Sequence, residues 1–247
     1  MPKVSVIIPV HNGRAYLQSC ISSITAQDVP CEIIIIDDAS NDGIYDDVQT
    51  LEAELKNKPD TELIYLRNET SLGAAETRNK GILTAKCEYI AFLDIDDTWE
   101  EGKLKRQIEM LDSGLQFTYT GRRNISKNGE KIITCQERVS YDEILRYNPI
   151  TTSSVVMEAG LAKSHLMSHS ELCEDYLTWI QILSDIPYAY GINEPLVRYM
   201  IHEGSESNNK FKHALRRYKT YKAAGIGFFK RVFYSIYYII IALLKRA

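Results

Sequence analysis

A chain of 247 residues, 45% hydrophobic and 25% charged, is long enough for one large α/β domain with a short appendage and is not a disordered or low-complexity protein. Its five cysteines (Cys20, Cys31, Cys87, Cys135 and Cys173) are odd in number and contain no C-x-x-C pair, which excludes a disulfide frame or zinc site as the expectation and favours the cytoplasm. The net charge of −4 is unevenly spread: from Lys210 onward there are ten Lys or Arg and no acid, so an anionic surface is the expected partner of the tail, and nucleic acid is not expected to meet the acidic body.

Met1-Pro2-Lys3 runs straight into an apolar segment with no cleavage pattern, so no signal peptide is expected. Val4–Pro9 is a β-branched apolar run stopped by proline and reads as a buried parallel strand. Leu17, Cys20, Ile21 and Ile24 place a helix over Ala15–Ala26. A second strand, Glu32–Ile36, ends on Asp37-Asp38, and a polar amphipathic helix follows over Asp46–Lys58. Glu62–Leu66 reads as a third strand, Leu72–Ala85 as a helix, and Tyr89–Leu93 as a fourth strand running into Asp94-Ile95-Asp96-Asp97. Strand and helix alternating in this way predict an open, mostly parallel Rossmann-like sheet flanked by helices.

The next stretch is less regular. Trp99–Leu111 reads as a helix, Gln116–Gly121 and Lys131–Thr134 as strands, Tyr141–Tyr147 as a helix and Ser153–Met157 as a strand. Glu174–Leu183 is a helix with two acids in its first turn, where the helix dipole favours them. Pro187–Gly191 and Leu196–Met200 are expected as two late strands, and Ala223–Gly227 as a hinge.

In an open parallel sheet, ligands bind beyond the carboxyl ends of the strands. Asp37, Asp38, Asp94, Asp96 and Asp97 all fall at that edge, and crowded carboxylates call for a cation or hydrogen-bond donors. A divalent ion with oxygen ligands, Mg²⁺ or Mn²⁺, that bridges them to a diphosphate is the natural partner. Arg78, on the helix after strand three, supplies further positive charge to the same edge.

Four segments occur in order: Val4–Asn12, Ile36–Asp42, Gly73–Gly81 and Phe92–Asp97. Together they resemble the family 2 glycosyltransferases, inverting enzymes of GT-A fold, over most of the first hundred residues. The resemblance implies that Pro9, Val10, His11 and Asn12 line a nucleoside pocket, and that Asp38 accepts a hydrogen bond from the base, uracil in much of the family. It further places Arg78 and Asp94 near the donor, Asp96 on the ribose, and Asp97 on a metal that neutralises the departing diphosphate. An inverting transferase also needs a base for the acceptor hydroxyl. Glu171–Trp179 resembles the family segment that carries it, which makes Asp175 the candidate and Glu174 the alternate, with capping of the helix dipole as the competing explanation. Arg198–Ser207 resembles a loop that closes over the diphosphate, with His202 as a metal or phosphate contact.

The resemblance divides the chain into a GT-A catalytic domain, residues 1–209 (donor half about 1–100, acceptor half about 101–209), and a basic, hydrophobic helical tail, 210–247. Within the tail, the uncharged run Val232–Leu244 falls short of the roughly 20 residues that span a bilayer. Its flanking Lys and Arg and interleaved Tyr suit a segment lying in the headgroup region, against the alternative of a helix packed on the domain. The implied activity is transfer of a sugar from a nucleotide diphosphate donor, UDP-linked by family habit, to a glycan or lipid-linked glycan acceptor at the inner face of a bacterial membrane, in polysaccharide or lipopolysaccharide synthesis. Two rival readings remain. Asp94-Ile95-Asp96-Asp97-Thr98 also resembles the strand-end motif of haloacid-dehalogenase-type phosphatases, with Asp94 as nucleophile and Asp96 as general acid, and a transferase-like domain could act as a non-catalytic scaffold.

Overall fold

The computed structural model describes residues 2–56, 60–168, 173–202 and 210–244. The first half alternates as the hydrophobic pattern requires: β1 (Val4–Val10), α1 (Arg14–Thr25), β2 (Cys31–Asp37), α2 (Ile44–Leu55), β3 (Thr61–Arg67), α3 (Ala74–Thr84) and β4 (Tyr89–Phe92). The apolar runs of β1 and β2 are buried on both sides, which is why they lack polar alternation. Val6, Ile8, Ile33 and Ile35 pack into one core with α1 and α2, while Ile7, Ile34 and Ile36 join a second core on the opposite face.

The second half contains β5 (Thr98–Trp99), α4 (Lys103–Asp112), β6 (Phe117–Ser126), β7 (Gly129–Ile133), β8 (Arg138–Val139), α5 (Tyr141–Arg146), a 3₁₀ turn (Thr152–Ser154), β9 (Val156–Glu158), α6 (Ala159–Ser164), α7 (Glu174–Asp185) and β10 (Ala189–Met200). The sheet runs β3-β2-β1-β4-β9-β6-β10-β5, with β7 on β6 and β8 on β10. The sheet of the first half is parallel as expected, but β9 runs antiparallel to both β4 and β6, so the whole sheet is mixed.

Three elements differ from the sequence expectation. Trp99 does not open a helix: Thr98–Trp99 pairs antiparallel with β10, and α4 starts only after Gly102, whose φ of +78° makes the turn. Ser153 lies in the 3₁₀ turn before β9. The two late strands are one, because β10 runs through Asn193-Glu194-Pro195 with register shifts either side of Pro195 against β6, where an expected loop is absorbed as a bulge.

The tail folds as two helices, α8 (Lys210–Ala223) and α9 (Phe228–Leu244), turning at Gly225, which has φ +73°. Tyr221, Ile226 and Tyr234 belong to the same core as α5 and α7. The Tyr221 hydroxyl donates to the Leu145 carbonyl at 2.8 Å, and the backbone N–H of Cys173, the residue preceding α7, donates to the Thr220 hydroxyl. The other face of α9 is bare: Phe229, Phe233, Ile236 and Ile240 recur at helical spacing and are exposed. Packed helix and exposed apolar face thus occur together. Among the described residues no helix is long and apolar enough to cross a membrane.

Candidate active site

Strand register assembles the site. Val10 lies opposite Asp37 and Ile7 opposite Phe92, so His11, Asp38 and Asp94 leave the sheet at one edge. The loops after β1 and β2 are tied to each other: Asn12 N–H donates to the Ser40 hydroxyl at 2.8 Å, and Asn41 N–H donates to the Asn12 side-chain oxygen at 2.9 Å. Asn12 and Ala39 hold left-handed backbone, φ 53° and 57°, a conformation non-glycine residues adopt rarely, as does Asp28 in the α1–β2 turn away from this edge.

Two cavities meet at this edge. The smaller, about 200 Å³, is a groove whose walls include Pro9, Val10, His11, Asp38 and Asp96. The larger, about 570 Å³, opens between the sheet, α7 and α8, and is lined by Glu174, Asp175, Thr152, Tyr199 and Arg122 among others. Arg78 and Asp94 line both. Buried Arg78 holds Asp94 at 2.6 Å and reaches Glu174 at 3.5 Å, so one guanidinium spans the partition between the two spaces.

The five acids of the edge are not one cluster, because each has its own internal partner. Buried Asp37 accepts from the Tyr65 hydroxyl, Arg67 and Ser40 N–H, and it lines neither cavity. Burial and the Asp37 carboxylate push Tyr65 up to about 12. Asp38 accepts four bonds, from Asn68, Ser71, and the N–H groups of Leu72 and Gly73. Burial alone would raise its pKa, but these donors overcome burial and hold it at about 2. Asp94 is taken by Arg78 and is therefore engaged rather than exposed as a phosphatase nucleophile would be.

Asp97, the metal ligand implied by the resemblance, is 1% exposed and lines neither cavity. Its carboxylate accepts from the Ser153 hydroxyl at 2.6 Å and Met200 N–H at 2.9 Å. Burial, with the neighbouring Asp94 charge, raises its pKa well above the carboxylate range. Ser153 also accepts from Asp94 N–H, so it braces the Asp94–Asp97 turn from β9's side of the sheet. Of the adjacent pair Asp96 and Asp97, the acid facing the groove is Asp96, with His202 Nε2 2.9 Å from its carboxylate. Burial and Asp94 push the Asp96 pKa upward, which marks a carboxylate short of positive charge.

Among the described residues no three His, Cys, Asp or Glu groups converge as a metal cage. A divalent ion of the Mg²⁺ or Mn²⁺ kind does not require one. It binds through one or two protein groups and takes its remaining oxygens from phosphate and water, which the Asp96–His202 pair at the groove mouth suits.

On the larger cavity's wall, Asp175 accepts from the Thr152 hydroxyl at 3.1 Å and from Tyr176 N–H. Glu174 beside it is raised in pKa by burial first and by Asp175 second, with Arg78 opposing. Of the residues singled out in the sequence, Pro9, Val10, His11, Asp38, Arg78, Asp94, Asp96 and Asp175 line one cavity or the other. Asn12 orders the loop behind the groove, Asp97 sits beneath it, and residues 203–207 of the expected closing loop, with Glu171 and Leu172 of the base segment, lie outside the described residues. Sequence reading missed Ser153, Thr152, Arg122, Arg216 and Arg217. The first three sit in a stretch without recognisable signatures, and the two arginines read as part of a basic tail that meets an anionic surface.

Residues 5–162 match the model of "Glycosyl transferase family 2". The chain is 34% identical over 226 residues to TuaG of Bacillus subtilis, a glycosyltransferase named for teichuronic acid biosynthesis, covering 90% of this chain and 88% of the relative. It is 31% identical to WfaP of Escherichia coli, named as a UDP-Glc:α-D-GlcNAc-diphosphoundecaprenol β-1,3-glucosyltransferase, covering 99% of this chain and 96% of the relative. Among solved structures, Staphylococcus aureus TarS 1–349 with UDP-GlcNAc matches with TM-score 0.69 and 20% identity over 90% of this chain and 65% of that one. The Pyrobaculum calidifontis mannosyltransferase PcManGT with GDP-Man and Mn²⁺ matches with TM-score 0.72 and 18% identity over 96% and 69%. At these identities the two structures are alike in fold.

Proposed function

The chain belongs to glycosyl transferase family 2, and from that premise we propose that it transfers a sugar, with inversion, from a nucleotide diphosphate donor to a hydroxyl of a lipid-linked glycan in bacterial surface-polysaccharide synthesis. The observation that carries this reading is the pair of cavities sharing the Arg78–Asp94 partition. The groove at Pro9, His11 and Asp38 takes the nucleoside, and the larger cavity takes the acceptor. UDP is the expected nucleotide, in keeping with WfaP's named donor. The tail's exposed apolar face, flanked by basic residues, rests on the cytoplasmic leaflet and holds the enzyme at the inner face of the membrane.

His11 and Asp38 shape the base pocket, with Asp38 ordering the 71–73 loop through three of its four bonds. Asp96 and His202 would hold a divalent ion, which when bound neutralises the charge of the leaving diphosphate. Asp175, oriented by Thr152, removes the proton from the acceptor hydroxyl as its oxygen bonds to the anomeric carbon and the bond to the diphosphate breaks. Arg78 keeps Asp94 and Glu174 from repelling donor phosphates across the partition.

The test is Asp175→Asn, assayed for donor binding by calorimetry and for transfer onto isoprenyl-diphosphate-linked sugars. Donor affinity within about twofold of the parent with transfer reduced on the order of 10³-fold is expected for loss of a general base. Transfer at the parental rate would remove Asp175 from this role.

A further inference from the structure

The larger cavity is lined by guanidiniums to which the transfer chemistry gives no part. Four guanidiniums line it, Arg78, Arg122, Arg216 and Arg217, against the carboxylates of Asp94, Glu174 and Asp175. Arg78 is neutralised by two of those carboxylates. Among the described residues neither Arg122 nor Arg217 has a carboxylate within 4.0 Å.

Arg217 is the more telling of the two. It is 6% exposed and lies in an aromatic box, 4.5 Å from the ring centroids of both Tyr176 and Tyr238 and 5.7 Å from that of Tyr221. Its Nη2 donates to the hydroxyls of Tyr176 and Tyr221, while its buried Nε has no partner. Cation–π contacts compensate part of the desolvation of a buried guanidinium, but a full charge in such a place is ordinarily matched by an anion. Arg122 is held in line with the cavity by Thr151 and Asn124 and by the Tyr199 ring, at 5.5 Å. Arg216 precedes Arg217 on α8 and lines the same space.

We propose that Arg122, Arg216 and Arg217 form an anion subsite in the acceptor cavity that binds a phosphate or diphosphate group carried by the acceptor glycan. Planar guanidiniums with several N–H donors match phosphate oxygens in pairs, which makes three of them around one cavity selective for that group over an uncharged sugar. Two of the three arginines lie on α8, which turns at Gly225 into α9 with its exposed Phe229, Phe233 and Ile236, while Arg122 faces them from β6. A phosphate bound there would have an apolar chain led toward the same face that meets the membrane. This inference rests on the reading of the larger cavity as the acceptor side.

The test is calorimetric titration of the full chain with inorganic pyrophosphate and with geranyl diphosphate, in EDTA so that metal-assisted binding in the donor groove is silent. Binding of pyrophosphate is expected, weakened at least tenfold in the double variant Arg122→Gln/Arg216→Gln and unchanged in the donor-groove variant His11→Ala. Tighter binding of geranyl diphosphate than pyrophosphate identifies a lipid-linked source, and equal binding a soluble sugar phosphate; both support the subsite. Absence of pyrophosphate binding, or binding lost in His11→Ala and kept in the double variant, overturns it. Arg217→Lys adds a second reading, expected to retain the fold by circular dichroism and to lose affinity. Nucleotide binding measured separately with Mn²⁺ reports on the transferase reading, so failure of one is distinguishable from failure of the other.

Discussion

Asp38→Asn isolates the contribution of one carboxylate to the groove beyond β1 and β2. The parent side chain spends each oxygen on two donors: Asn68 and Leu72 N–H on one, Ser71 and Gly73 N–H on the other. Depression of its pKa from 3.8 to about 2 corresponds to about 2 kcal/mol of preference for the charged, folded form. Asparagine keeps one acceptor oxygen and turns an NH₂ group toward two donors, so the expected loss rises to about 3 kcal/mol. For a chain of this size that is a fall in Tm of about 6–12 °C at pH 7. The sign of the pH dependence follows from the depressed folded pKa. The carboxylate's contribution is complete above its unfolded value of 3.8 and is lost as pH falls toward about 2, so the difference between parent and variant shrinks across that window. Differential scanning calorimetry at pH 7 and near pH 3 reads both effects. Melting of the variant within about 1 °C of the parent at pH 7 would refute the assignment of the 71–73 loop's order to this carboxylate.

Ser153→Ala removes the hydroxyl that joins Asp97 to Asp94 N–H and leaves a buried carboxylate with Met200 N–H; a stability loss of about 2–3 kcal/mol in urea unfolding is expected, accompanied by weaker nucleotide binding as the turn relaxes. Gly81→Ala places a methyl 2.6 Å from Ile7 Cγ2 and 2.8 Å from Ile36 Cδ1, at the packing of α3 on the sheet. It should cost about 1–3 kcal/mol in the same assay with no change in metal requirement. Phe229→Ser with Ile236→Ser strips the exposed stripe of α9 while leaving Tyr234 and Tyr221 packed. Sedimentation with anionic vesicles should fall more than about tenfold, since each buried side chain contributes about 1.5–3 kcal/mol, and thermal unfolding should stay near the parent.

The first hundred residues were legible because their rules are local. Isoleucine runs buried on both faces define β1 and β2, and the acids that follow them must emerge at the carboxyl edge of a parallel sheet. Which acid faces the groove was not legible. Asp96 and Asp97 are adjacent in the chain, and only the turn closed by Asp97 N–H on the Asp94 carbonyl, with Ser153 reaching across from the 3₁₀ turn, buries one and exposes the other. The supposed crowding of five acids was likewise resolved by partners distant in sequence, such as Arg67 for Asp37 and Met200 N–H for Asp97. In the second half of the chain, β9 is three residues long and derives its place from antiparallel pairing on both sides, which no local pattern announces. The tail showed its amphipathic character in sequence, but the burial of Arg217 among Tyr176, Tyr221 and Tyr238 depends on where α7 ends up.

The most direct measurement is calorimetric titration of the protein with UDP, GDP and dTDP, each with Mn²⁺ and with EDTA, in the parent and in Asp96→Asn. Binding of one nucleotide that requires the metal and is lost in the variant is the expected result, since Asp96 is the acid that faces the groove beside His202. Failure of all three nucleotides to bind, or binding indifferent both to the metal and to Asp96, would contradict the assignment of this groove to a nucleotide-sugar donor.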